Sequence, residues 1–218
     1  MTPEKFTKIC DKFFVPNIIR NHLLRTAAVA VQITTHCNKE INKELVQNAM
    51  LLHDLGNIVK SDVHRFSFFE TENEEYWEKK KEEIMKTYGT HDDNATESML
   101  NIIDISQELK SLIQRGKNDE VWEAVEHNDW NAKICLYADY RVGPRSVLSL
   151  QERFDDLERR YKEKPPEYHL SNEEAHRIQN GFREVEKQIF AECDISPEDV
   201  TETSIQEFLV EPLIETKK

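Results

Sequence analysis

The stretch that most constrains this chain reads Ala49-Met50-Leu51-Leu52-His53-Asp54-Leu55-Gly56. Its apolar residues recur with helical spacing, which predicts a helix over 43–55 that packs into a protein core. An aspartate in such a helix is costly to bury unless another group neutralises its charge. Because imidazole and carboxylate groups both bind transition metals, the adjacent His53 and Asp54 indicate a buried cation site. We expect Gly56 to end the helix in a left-handed conformation.

Two other predicted helices carry chemically similar residues. His22 lies on the apolar face of a helix over 16–33, and Asp139 ends the apolar segment Ile134-Cys135-Leu136-Tyr137-Ala138-Asp139. Two imidazoles and two carboxylates on three apolar helices can meet only in the core. Without a neutralising charge, two buried carboxylates repel each other and tend to protonate, whereas a divalent metal removes that penalty. These four residues therefore indicate a metal centre.

Two further histidines stand at the ends of predicted helices. His91 begins a helix that continues through about residue 105, and His127 ends a helix over 118–127. Each histidine alone is typical of a surface or capping residue. Their positions between the His-Asp pair and the distal aspartate make both of them candidate ligands.

The composition favours helices throughout the chain. Of 218 residues, 33% are charged, 5 are Gly and 7 are Pro. A chain with so few helix breakers and no alternating strand pattern is predicted to be all-α. Its length suits one domain with an appendage. We predict a helical bundle over 1–146 and a C-terminal helical extension, packed on the same domain, over 147–218.

The charge is unevenly distributed. The formal net charge of -13 argues against polymeric nucleic acid as a partner. Residues 1–65 nevertheless hold nine Lys/Arg and six Asp/Glu, and residues 130–165 hold eight and six. The two segments with the four main candidate ligands are therefore locally basic, which suits a small anion held at a metal inside an acidic shell.

Cysteine spacing and the lack of long apolar runs predict a soluble cytoplasmic protein. The four cysteines form no Cys-x-x-Cys pair, which favours free thiols in a reducing compartment. The first residues contain no apolar signal region, and no apolar run approaches the ~20 residues of a membrane span.

Residues 66–88 differ from their surroundings. Three phenylalanines precede an acidic, lysine-rich stretch in which Trp77, Ile84 and Tyr88 form one helical stripe. The pattern favours an amphipathic surface helix packed through that stripe. A lid over a nearby site is the alternative.

With these residues the chain resembles the HD superfamily of metal-dependent phosphohydrolases. The family pattern is a His, a later His-Asp pair and a distal Asp on helices, which His22, His53, Asp54 and Asp139 match within roughly residues 15–145. The resemblance implies a compact helical bundle, in agreement with the composition.

Some branches of this superfamily add two histidines before the last aspartate, and His91 and His127 match them. These branches include the bacterial diadenosine tetraphosphate hydrolases and the HD-type di-iron oxygenases. One departure concerns the residue after the glycine, where many members have Lys and this chain has Asn57.

The resemblance implies hydrolysis of a phosphate ester or anhydride in a nucleotide or another small phosphorylated metabolite. A metal-activated water would attack the phosphorus atom, with His53 and Asp54 as the catalytic pair. The cofactor would be Fe, Mn, Co or Zn, as one ion or as two bridged by Asp54. The implied metal ligands are His22, His53, Asp54, His91, His127 and Asp139.

An anionic substrate also needs cations beside the metal. The candidates flank the ligand residues along the chain, although each is also compatible with a solvated surface charge. They are Arg25, Lys60, Arg65, Arg141 and Arg145.

Two other functions remain open from the sequence. An HD-type di-iron oxygenase would use the same ligand set, and a non-catalytic regulatory module would bind a nucleotide without turnover. The extension over 147–218 could pack on the bundle, cover the site or form a homodimer interface, and the sequence favours none of these.

Overall fold

The structure is a computed structural model that describes residues 1–64, 70, 72–116, 121–162 and 170–215. Within these residues the chain forms ten α-helices and no β-strand, which confirms the all-α prediction. The helices are α1 (Pro3–Lys12), α2 (Asn17–His36), α3 (Lys43–Met50), α4 (Glu74–Tyr88), α5 (Asp92–Ile102), α6 (Gln107–Arg115), α7 (Val121–Glu126), α8 (Trp130–Arg141), α9 (Leu150–Lys162) and α10 (Asn172–Phe190). Short 3-10 turns occupy Asn57–Val59, Pro197–Asp199 and Ser204–Phe208.

Helix α2 runs through the middle of the bundle. Every residue from Leu23 to Ile33 is buried. The helix packs against α3, α8 and the turn Ser204–Phe208. A helix that is enclosed on all sides is typical of a protein core. Because α2 is so enclosed, any polar side chain on it must find a partner inside the protein.

The N-terminus of α2 receives its cap from a distant residue. Pro16 precedes the helix and has no side-chain oxygen to offer. Glu70, only 3% exposed, accepts a hydrogen bond of 3.0 Å from the backbone N–H of Ile18. Burial raises the pKa of this carboxyl, and the backbone N–H groups at the start of α2 oppose that rise.

Helix α3 ends at Met50, five residues before the predicted end. Residues 51–56 form turns, so His53 and Asp54 lie on a connection between α3 and the 3-10 turn Asn57–Val59 rather than inside a helix. The apolar residues of this connection are fully buried, which explains why their spacing indicated a core helix.

Gly56 is required for a different reason from the one predicted. Its φ is -85°, so the prediction of a left-handed conformation is wrong. A Cβ atom at this position would lie 2.6 Å from the carbonyl oxygen of Asp92 and 2.6 Å from the backbone nitrogen of Thr96. The Gly56 N–H also donates to the Thr96 hydroxyl at 3.0 Å. Glycine therefore allows the start of α5 to approach the turn that carries the His-Asp pair.

Helix α4 covers most of the predicted amphipathic stretch. Trp77 and Ile84 are buried where α4 packs against α5 and the turn Asn57–Val59. Residues 65–69 and 71, which include the start of the predicted helix and its phenylalanines, lie outside the described residues. A lid function for this region stays a prediction.

The C-terminal residues return to the end of α2. Cys37 and Cys193 face each other in an isolated antiparallel bridge, flanked by hydrogen bonds from Asn38 N to the Glu192 carbonyl and from Asp194 N to the His36 carbonyl. All four cysteines are free thiols, as the sequence indicated. Among the described residues, no helix combines the length and apolar character that crossing a membrane requires.

The close approach at Gly56 generates a stability prediction. We expect Gly56→Ala to lower the free energy of unfolding by about 1–3 kcal/mol, because the new Cβ forces α5 away from the turn. Gly116→Ala is the matched control, since a Cβ there would meet its nearest neighbour at an ordinary 3.5 Å. Urea denaturation measures both variants, and equal stabilities would contradict the packing argument.

Candidate metal centre

Two imidazoles and two carboxylates meet in a largely buried part of the protein. Oδ1 of Asp139 lies 3.0 Å from Nε2 of His22 and 3.2 Å from Nε2 of His53. Oδ2 of Asp54 lies 3.6 Å from each of the same two nitrogens. One potential ligand atom from each residue lies within 4.8 Å of all the others. These four residues, hereafter the His-Asp cluster, are those that the sequence placed together.

Three buried elements position the cluster. His22 comes from α2, the His-Asp pair comes from the turn after α3, and Asp139 comes from the last part of α8. Helix α2 packs against both α3 and α8, and α3 packs against α8. The four side chains keep between 10% and 21% of their exposure, so water and a small ligand can reach them.

The charges of the cluster depend on each other. Burial of Asp139 alone would raise the pKa of its carboxyl, but the charge of His53 and the hydrogen bonds from both imidazoles hold this pKa well below its usual range. Burial likewise lowers the pKa of His53, yet the carboxylates of Asp54 and Asp139 outweigh burial and raise it to about 9. In the metal-free protein a proton on His53 therefore supplies the positive charge that the carboxylates need.

The donor set fits a transition metal. Nδ1 of His53 lies 2.9 Å from the Met50 carbonyl oxygen, and when Nδ1–H donates there the lone pair of Nε2 is directed to the cluster. Asn57 donates to Oδ2 of Asp54, while its own Oδ1 is buried without a donor among the described residues. An acceptor left unpaired beside the cluster is a position where water or a ligand is expected. Two imidazoles with two carboxylates suit Fe, Mn, Co or Zn better than Mg or Ca.

His127 does not join the cluster. It precedes α8, on which Trp130 and Asp139 are nine residues apart, roughly 14 Å along the axis at 1.5 Å per residue. It is exposed and lines a surface cavity of about 310 Å³ with Trp130 and Lys133. Two metals that share a carboxylate lie about 3.5–4 Å apart. The predicted second ion therefore loses this histidine as a ligand.

His91 lies at the start of α5 but is also outside the cluster. It is exposed and gives no side-chain cap to the helix. The next residue, Asp92, contacts Gly56, so the histidine is on the same side of the protein as Asp54. A role of His91 as a ligand stays a prediction.

Two of the predicted phosphate-binding arginines hold the C-terminal segment instead. Nε of Arg25 donates to both carboxylate oxygens of Glu202, at 2.8 and 3.1 Å. Arg141, only 3% exposed, donates to Tyr137, to the carbonyl oxygens of Pro197 and Val200, and to that of Leu148. The guanidinium of Arg141 thus has protein acceptors for all three of its nitrogens and is committed to the fold, whereas Arg25 is paired with Glu202 through its Nε. The predicted contact of Arg25 and Arg141 with substrate phosphate stays a prediction, and these protein contacts argue against it.

The other three predicted cations have different surroundings. Nζ of Lys60 lies 2.7 Å from Oδ2 of Asp92, and its side chain is 58% exposed. Desolvation lowers the pKa of Lys60, but Asp54, Asp92 and Asp139 act more strongly and raise it. This lysine is thus charged and within electrostatic reach of the cluster. Arg145 is exposed beside a cavity of about 600 Å³, and Arg65 lies outside the described residues.

Sequence reasoning missed two contributions near the cluster. Asn57 stood out only as a departure from the family pattern, yet it orients the carboxylate of Asp54. Arg153 belongs to a stretch that reads as an ordinary helix, yet its guanidinium interacts electrostatically with Asp139. The arginines at 153 and 160 share a helix face through their i,i+7 spacing, which is the signal that could have indicated this pair.

The geometry predicts that Asp139 is essential for metal binding. We expect Asp139→Asn to weaken binding of Zn²⁺ or Mn²⁺ about 100-fold or more, because it removes the charge that both imidazoles share. Asp194→Asn is the matched control, since Asp194 pairs with His36 at 2.8 Å away from the cluster. Isothermal titration calorimetry measures both affinities, and equal losses in the two variants would contradict the assignment.

The raised pKa of His53 predicts that metal binding displaces a proton. The folded-state pKa of about 9 lies above the ordinary value of 6.5, so the proton stabilises the metal-free fold below about pH 6.5, and this contribution disappears as the pH rises through 9. Metal affinity should therefore increase with pH up to about 9 and then level off.

Calorimetry in buffers of different ionisation enthalpy measures the protons released on metal binding. At pH 7 the wild-type protein should release about one proton more than His53→Gln. The same number of protons from both proteins would show that His53 is not the group displaced.

Comparison with known proteins identifies the family. The HD domain family matches residues 19–167, more than half of the chain. No curated protein and no solved structure gave a match. The matched range contains all members of the His-Asp cluster and extends through α9, past the domain boundary predicted after residue 146. The chain therefore belongs to the HD domain family, the metal-dependent phosphohydrolase superfamily that its His-Asp cluster resembles.

Proposed function

We propose that this protein is a metal-dependent hydrolase that cleaves a phosphate ester or anhydride of a nucleotide or another small phosphorylated metabolite. The observation that carries the proposal is the His-Asp cluster, in which four ligand atoms lie within 4.8 Å of one another in a chain of the HD domain family. The four side chains are largely buried but keep some exposure to solvent, which suits a metal that must exchange ligands with its surroundings.

The chain's own residues prepare the site for that chemistry. His22, His53, Asp54 and Asp139 would hold a divalent metal, which when bound supplies Lewis-acid polarisation and lowers the pKa of a coordinated water. The Met50 carbonyl fixes the ring of His53, and the amide of Asn57 fixes the carboxylate of Asp54. Ligands held in this way need little rearrangement when the substrate arrives.

Lys60 supplies positive charge next to the cluster. Asp92 holds its ammonium group at 2.7 Å, and the group remains largely exposed. An ammonium group in this position can contact a phosphoryl oxygen while the carboxylates of the cluster keep it charged. Among the predicted cations, Lys60 is one whose charge interacts with Asp54 and Asp139 of the cluster, and it supports the proposal as a candidate phosphate contact.

The substrate class follows from charge. A net charge of -13 disfavours long polyanions, whereas a small phosphorylated metabolite meets only the local field of the site. A nucleotide is the substrate we expect. We propose that the protein acts on this class in the cytoplasm. A single metal at the cluster is the simplest arrangement, because His127 precedes α8 while Asp139 lies in its last part.

A substrate panel tests the proposed function. Protein loaded with Fe, Mn, Co or Zn should release phosphate, or a shorter phosphate ester, from at least one member of a set of nucleotides, dinucleotides and phosphomonoesters. Asp54→Asn should lower kcat about 100-fold or more, because it removes a ligand charge. The control is Asp194→Asn, which leaves the cluster intact.

The outcomes separate the proposal from the two alternatives. Absence of turnover with every metal and every substrate, while metal and nucleotide still bind, would favour the non-catalytic module. A mixed-valent electron paramagnetic signal in iron-loaded protein exposed to air, without phosphate release, would favour the di-iron oxygenase. The position of His127 before α8, at the opposite end of that helix from Asp139, argues against that second iron.

A further inference from the structure

Helix α9 places an arginine against the ring of Tyr140, the residue that follows Asp139 of the cluster. Arg153 is 13% exposed, and its guanidinium carbon lies 5.8 Å from the centre of the Tyr140 ring. Tyr140 follows the cluster residue Asp139 directly, and the carboxylate of Asp139 is one of the charges acting on Arg153. The ring of Phe154, 5.7 Å from that of Tyr140, helps to fix α9 against the end of α8.

A second arginine lies on the same face of α9. Nη1 of Arg153 and Nη2 of Arg160 approach the same oxygen of Asp156, at 3.1 and 2.9 Å. Two guanidinium groups that share one carboxylate oxygen carry a net positive charge. Because Asp156 is only 12% exposed, this charge is poorly screened by solvent.

The arginine pair has hydrogen-bond donors without acceptors. Nε of Arg153 and Nε of Arg160 are both buried, and neither has an acceptor in the described part of the chain. A buried guanidinium N–H without a partner costs free energy, so a native protein is expected to supply an acceptor. By contrast, the Nε of Arg25 donates to Glu202 and the Nε of Arg141 donates to the Leu148 carbonyl oxygen.

We propose that Arg153 and Arg160 bind a phosphate group of the substrate beside the His-Asp cluster. This inference rests on the proposed function and replaces Arg25 and Arg141 as the arginines that recognise substrate. A phosphate group offers several acceptor oxygens and two negative charges, which match the free Nε donors and the net charge of the pair. The arginine pair is positively charged, whereas the carboxylates of the cluster are negatively charged and would hold a metal. One phosphate group of the substrate can therefore bind the pair while another part of the substrate reaches the cluster.

Direct anion binding tests this inference without requiring turnover. Inorganic pyrophosphate is titrated calorimetrically into the metal-free and the Zn²⁺-loaded protein. We expect Arg153→Gln and Arg160→Gln each to weaken pyrophosphate binding about tenfold or more, since each removes a charge-assisted contact. Arg159→Gln is the matched control, because Arg159 also contacts Asp156, at 2.7 Å, but is 72% exposed. It should change the affinity less than about twofold.

A second variant protects the test against misfolding. Arg153 is nearly buried, so its replacement risks unfolding the protein, whereas Arg160 is 37% exposed and can be replaced more safely. Thermal unfolding and circular dichroism identify the variants that stay folded, and Arg160→Gln alone is sufficient to test the role of the pair. Arg160→Lys, which keeps the charge but not the planar fork, should bind pyrophosphate between wild type and Arg160→Gln.

The results also separate this inference from the proposed function. Wild-type affinity in Arg160→Gln, an equal loss in Arg159→Gln, or no pyrophosphate binding by the wild type would overturn the inference. If pyrophosphate binding requires the arginine pair but no substrate is cleaved, the anion site stands and the proposed hydrolase fails. If substrates are cleaved and the KM of folded Arg160→Gln is unchanged, the hydrolase stands and the anion site fails.

Discussion

The His-Asp cluster depends on the carboxylate of Asp139, which contacts both of its imidazoles. Its Oδ1 atom lies within hydrogen-bond distance of Nε2 of both His22 and His53. One oxygen therefore connects α2, the turn after α3 and α8. A buried carboxylate requires positive charge, and in the metal-free protein the proton on His53 provides it. The same requirement makes the site suitable for a divalent cation, because a metal can replace that proton and satisfy Asp54 as well.

The need to neutralise buried charge also explains where the buried arginines find their partners. Arg25 and Arg141 lie along elements that carry cluster residues, but both are enclosed by the returning C-terminal segment and are used to hold it. Glu202 joins that segment to α2 through Arg25 and accepts the backbone N–H of Val147 as well. The arginine pair on α9 differs, because its Nε donors remain without acceptors in the described residues. Charge recruited for the fold and charge left for a ligand can therefore be distinguished by their hydrogen bonds.

Sequence patterns were most informative where a physical cost constrains the residue type. Burying Asp54 and Asp139 among apolar residues is expensive, and that cost indicated their convergence with His22 and His53. The patterns were less informative where two structures satisfy the same apolar spacing. The segment after Met50 is buried as a turn rather than a helix, and Gly56 serves close packing rather than a left-handed φ. His127 matched its expected order along the chain, but order does not measure distance along α8.

The sequence by itself determined the all-α class, the apolar helices and the four residues of the His-Asp cluster. These features follow from local periodicity and from the free-energy cost of isolated buried charge, both of which can be evaluated along one chain. Only the tertiary structure decided which arginines have protein acceptors, that Lys60 feels the charge of Asp54, and that α9 packs Arg153 against Tyr140 at the end of α8. Hydrogen-bond acceptors for these cations come from residues up to 177 positions away, as with Arg25 and Glu202. Such pairings depend on how helices pack, and no local pattern in the sequence specifies them.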